Sequence, residues 1–137
     1  MRTLDLQDNQ IGERGCTVIA EHLNGRLITL KALLLGNNQG DDSLAVQLAQ
    51  PLSDPQCQIA TLGLQSNGIG DWGGDTLGKA LGSNHSLHTL KLGGNRLESW
   101  GAEGLAEGLS SNRSLTCLDL NSNKLDPTGA ITRRRSL

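Results

Sequence analysis

Asn9, Asn38, Asn67, Asn95 and Asn123 recur at intervals of 29, 29, 28 and 28 residues, and each closes the same short phrase. Its first copy reads Leu4-Asp5-Leu6-Gln7-Asp8-Asn9 and its last Leu118-Asp119-Leu120-Asn121-Ser122-Asn123. A fixed period of this length leads to a stack of similar coils, because every coil presents like side chains at like positions. Residues 1–137 are therefore expected to form one array of about five coils of 28–29 residues. Each coil packs on its neighbours and not around a common centre.

Two periodicities alternate within a coil. Leu4 and Leu6 alternate with Thr3, Asp5 and Gln7, the pattern of a short strand with one buried face. Past the asparagine, Ile19 and Leu23 lie four apart and share one face of a helix, as do Leu48 and Leu52, Leu77 and Leu81, and Leu105 and Leu109. Cys16, Ala45, Gly74 and Ala102 are small where the helix must approach the strand layer. The expected fold is an α/β, right-handed solenoid: a horseshoe arc with a parallel sheet on its concave face and helices on its convex face. Phe and Tyr are absent, so the core is aliphatic. A buried Leu or Ile contributes about 1.5–3 kcal/mol, and several per coil offset the entropy of ordering it. The Asn column has a separate task. A carboxamide carries donors and an acceptor, and can satisfy the backbone groups of a buried turn from coil to coil.

The pattern L-x-x-L-x-L-x-x-N-x-[IL]-x-x-x-G resembles the ribonuclease-inhibitor-like class of leucine-rich repeats, a class that includes the repeat domains of NOD-like receptors and the Ran-type GTPase activators. The resemblance covers essentially the whole chain. It implies a non-catalytic protein–protein interaction scaffold or recognition module, in its more specific form the sensing or autoinhibitory segment of a NOD-like receptor. The alternative it leaves is a GTPase-activating protein of the Ran type. Those activators continue into a strongly acidic tail, whereas this sequence runs to Arg133-Arg134-Arg135-Ser136-Leu137. Ribonuclease inhibitor itself is cysteine-rich, and three cysteines do not match it.

The second coil departs from the pattern. Gly40 stands where the others place Ile11, Ile69 or Leu97, and Leu44 where they place Gly15, Gly73 or Gly101. A distinct loop path over residues 37–42 is expected, followed by a proline-broken link from Pro51 to Pro55. Both ends lack obvious caps. The first coil shows Leu4, Leu6 and Ile11 with nothing before them, and the last has Arg133 in a leucine slot, with Asp126-Pro127 reading as the start of its helix. The array reads as a fragment of a longer one, or as a chain that self-associates through uncapped ends and an edge strand.

Strand residues that point away from the core supply the candidate contacts for a protein partner: Asp5, Gln7, Gln65, Lys91, Asp119 and Asn121. The competing reading is that each is an ordinary solvated strand residue. Trp72 and Trp100 occupy the same slot, five beyond their asparagines, where other coils have Arg14 and Ser43. They are expected on the turn leading into each helix, either as an exposed contact patch or packed together to shield that turn.

Catalytic chemistry is not apparent. His22, His85 and His88 show no metal-ligand spacing, and neither a nucleophile elbow nor a phosphate loop is present. No enzyme activity and no cofactor are expected. A net charge of -2 gives the body no footprint for nucleic acid, and the Arg133–Arg135 run reads as a solvated tail. Cys16, Cys57 and Cys117 form an odd set without a C-x-x-C pair, which points to reduced thiols and a cytoplasmic protein. No apolar run is long enough to span a bilayer, so no membrane partner is expected.

Overall fold

The computed structural model describes residues 2–23 and 29–125. The expected start of a last helix at Asp126-Pro127 and the Arg133–Arg135 run lie outside the described residues. Strands and helices alternate: β1 (Thr3–Asp5), α1 (Gly12–Leu23), β2 (Ala32–Leu34), α2 (Asp41–Ser53), β3 (Thr61–Gly63), α3 (Asp71–Ser83), β4 (Thr89–Lys91), α4 (Ser99–Ser111) and β5 (Cys117–Asp119). The strands form a parallel sheet in chain order, β1 to β5. Leu4, Leu33, Leu62, Leu90 and Leu118 stand opposite one another in an unbroken register. Leu33, Leu62 and Leu90 are fully buried, while Leu4 and Leu118 at the two edge strands are only partly covered. The helices cover the same face, burying Leu48 and Leu52, Leu77 and Leu81, Leu105 and Leu109. This is the α/β solenoid that the period implies.

The asparagines make the column continuous. Asn67 Nδ2 donates to the carbonyls of Leu35, Leu64 and Gln65, at 2.9–3.2 Å, and its Oδ1 accepts the amides of Asn38 and Gly40. Asn95 repeats the arrangement one coil on, donating to Leu64 and accepting from Asn67 and Ile69. Asn38 does so toward Leu6, Asn9 and Ile11, and Asn123 toward Leu92 and Leu97. Asn38, Asn67 and Asn95 are buried, whereas Asn9 at the first coil is exposed. A second, shorter ladder lies where the helices end. Asn84 reaches the Leu52 carbonyl at 2.8 Å, and Asn112 reaches those of Leu81 and Asn84. Each accepts two amides of its own following turn.

Helix starts are capped from the neighbouring coil. The N-cap residues Gly70 and Glu98 make no side-chain cap of their own. Asp42 Oδ1 instead accepts the amides of Gly70 and Gly73 at 2.7 and 3.0 Å, and Asp71 Oδ1 accepts those of Glu98 and Gly101 at 2.8 Å each. A carboxylate facing exposed helical amides also opposes the positive end of the helix dipole.

One expectation for the second coil holds in part and another is corrected. Its loop differs from those of the third and fourth coils, where positive φ falls only at Ser66 and Gly68 and at Gly94, but it shares the first coil's path, with positive φ at Asn37, Gln39 and Asp41, the same offsets as Asp8, Gln10 and Gly12. The exchanged residues keep the packing. A methyl on Gly73 would sit 2.6 Å from Ile69 Cγ2, and one on Gly40 would sit 2.5 Å from Leu44 Cδ2. One apolar side chain fills the same space from either position, and the partner must be glycine. Pro51 does not break the link. It lies inside α2, two residues before its end, and is itself buried. The proline removes one helical hydrogen bond, the one its own nitrogen would otherwise donate to the Gln47 carbonyl.

Candidate functional site

The uncovered face of the sheet carries the six candidate contacts, in two groups. On β1 to β3, Asp5 Oδ1 accepts both the backbone amide and the Nε2 of Gln7, each at 3.1 Å. Gln65 Nε2 then reaches across a whole coil to Gln7 Oε1 at 2.8 Å. Gly36 lies between them, and a methyl there would stand 2.6 Å from Gln65 Nε2. The bridge therefore exists because the intervening coil has no side chain. Gln65 Oε1 is buried without a hydrogen-bond partner. On β4 and β5, Lys91 and Asp119 are register partners, and Asp119 Oδ1 accepts the Asn121 amide at 2.9 Å. Asp5 and Asp119 thus tie down turns as well as facing solvent. The sequence signal for the bridge is the alternation Gln7, Gly36, Gln65, Gly93, Asn121 at one position of successive coils.

The tryptophans sit differently from expectation. Each is the second residue of its helix, α3 or α4, and not on the turn before it. Their exposures are 57% and 60%, so neither indole is sequestered. One to two turns further along, the two helices pack backbone to backbone. A methyl on Gly78 would collide with the Gly104 carbonyl, and one on Gly108 with the Gly78 carbonyl. An open groove of about 250 Å³ runs along this seam, lined by Asp75, Gly78, Lys79, Gly104, Glu107 and their neighbours. Nothing in the sequence columns pointed to the groove, because it is made by missing side chains on two helices at once.

The remaining reactive groups are dispersed. Cys16 is buried, and burial, followed by the Asp41 carboxylate, pushes its thiol up from the usual range, keeping it protonated. Cys57 is buried against Ser86, and Cys117 is exposed on β5. His88 Nδ1 lies 2.9 Å from the Ser114 carbonyl, an ordinary structural contact. Among the described residues, no group of three His, Cys, Asp or Glu could hold a metal ion. No described helix is long and apolar enough to cross a membrane.

Residues 1–20, 83–106 and 111–132 match a family model described as Leucine Rich repeat. No curated protein sequence matches the chain. Among solved structures, the leiomodin-1 actin-binding site 2 superposes with a TM-score of 0.82 at 22% identity, over 100% of this chain and 79% of that one. In all, 54 solved chains match, so the architecture is widely used and does not fix an activity.

Proposed function

Taking the chain as a leucine-rich-repeat solenoid, we propose that it is a non-catalytic module that binds another protein along the uncovered face of its sheet. The observation that carries this reading is the set of ordered polar side chains on that face, the Gln7–Gln65 bridge across Gly36 and the register partners Lys91 and Asp119, on rungs about 4.8 Å apart. Such a surface is already ordered, so a partner does not have to supply the entropy of ordering it. The more specific form is a recognition segment of the NOD-like-receptor kind, supported by the 28–29-residue period and its Asn-closed phrase. The likeness to a leiomodin-1 actin-binding site makes actin the first defined partner to test.

The test is affinity capture with the immobilised chain, in parallel with actin co-sedimentation. A defined set of proteins, or actin, should be retained by the native chain and lost by a variant carrying Lys91→Glu and Gln65→Leu. Retention that ignores those changes would sink the sheet face as the binding surface. Stimulated GTP hydrolysis across a panel of small GTPases would overturn the non-catalytic reading.

A further inference from the structure

We propose that the groove between α3 and α4, headed by Trp72 and Trp100, docks an arginine-bearing basic segment of a partner protein. The assignment deepens the protein-binding reading and rests on it, but it concerns the helix side and not the sheet.

These tryptophans are the only large aromatics in a chain that has no Phe or Tyr. An indole is the largest apolar side chain available to a core. Here both sit on the surface, at the same helical position of successive coils, each more than half exposed. Helical spacing aligns them with the groove. Asp75 and Lys79 follow Trp72 by three and seven residues, and Gly104 and Glu107 follow Trp100 by four and seven. The glycine floor lets a chain approach the helix backbones.

Charge selects the occupant. The charged residues lining the groove are Asp75, Lys79 and Glu107, and Glu103 lies one turn before Glu107 on α4. Lys79 is already engaged by Asp75 at 3.2 Å, which leaves the exposed Glu103 and Glu107 without a cation on α4. A guanidinium fits both features: it stacks on an indole face and forks onto a carboxylate. An ammonium does only part of this, and an acidic segment is repelled.

The site reports on itself, since all tryptophan emission comes from these two residues. Titration with a hexa-arginine peptide should give a saturable change in emission that weakens with added salt. Hexalysine should bind several-fold less tightly and hexaglutamate not at all. Replacing Glu103→Gln and Glu107→Gln together should weaken binding about tenfold or more. Trp72→Leu should weaken it with Trp100 left as the reporter, and the reciprocal variant likewise. Lys91→Glu, on the sheet face, should leave the titration unchanged, so failure here and failure of sheet-face capture are told apart. The proposal is overturned if hexa-arginine leaves the emission unaltered, or if binding survives the glutamine double replacement. It is also overturned if a response appears only after Arg133, Arg134 and Arg135 are replaced by serine, because this chain's own terminus would then be the occupant.

Discussion

Asn67 uses every polar atom of its side chain on backbone: three carbonyls take its amide hydrogens and two amides meet its oxygen. Removing it strands those groups in a coil interior that water does not reach. Asn67→Ala should lower stability by about 1–3 kcal/mol, and Asn9→Ala, at an exposed rung, by clearly less, as read from urea midpoints. Gln65 predicts a smaller effect. Gln65→Leu deletes a buried acceptor that has no partner but also the Nε2 bridge to Gln7 Oε1, so stability should change by no more than about 1 kcal/mol while capture of the sheet-face partner weakens. The two residues also differ in how visible they were. The Asn column is one residue type at one interval and can be read from the sequence. The Gln7–Gln65 bridge depends on Gly36 lying between them, a relation among three coils that no single column displays.

The loop and helix start of the second coil show how an element tolerates exchange. Ile69 with Gly73, and Gly40 with Leu44, place one apolar side chain in the same pocket from opposite positions. Leu44→Gly alone should cost about 2–5 kcal/mol, and Gly40→Ile alone about 1–3 kcal/mol through overpacking. Combined, they should return to within about 1.5 kcal/mol of the native chain, the remainder being the helix penalty of glycine. A double-mutant cycle by chemical denaturation measures this, and additive losses would contradict it. From sequence the second coil looked deviant because its columns broke, yet volume was conserved and its loop kept the first coil's path. The helix starts carry a second expectation. Asp71→Ala removes the one oxygen that accepts both cross-coil amides at α4 and should cost about 0.5–2 kcal/mol, with hydrogen exchange rising at Glu98 and Gly101 before it rises elsewhere.

For the molecule as a whole, the period alone fixed the parallel sheet, the helix layer and the aliphatic core, since these follow from like residues meeting like. Contacts between unlike positions stayed hidden, and the α3–α4 seam is the clearest case. Gly78 touches the backbone of α4, whereas Gly82, one turn on, has only Ser111 Oγ nearby at 3.5 Å. Gly78→Ala should destabilise by about 1–3 kcal/mol. Gly82→Ala should stabilise by about 0.5–1 kcal/mol through helix propensity. Thermal melts of the two variants should therefore shift in opposite directions.

The links between coils also have a sense of direction. Aspartates reach forward along the chain, from Asp42 to α3 and from Asp71 to α4, while asparagine side chains reach back to the coil before. Shortening the protein is therefore not symmetrical. Deleting a leading coil leaves the next helix with bare amides at its start, and deleting a trailing coil leaves the preceding turn without its acceptor. Terminal trimming from the two sides would thus produce two different kinds of fraying, one at a helix and one at a loop.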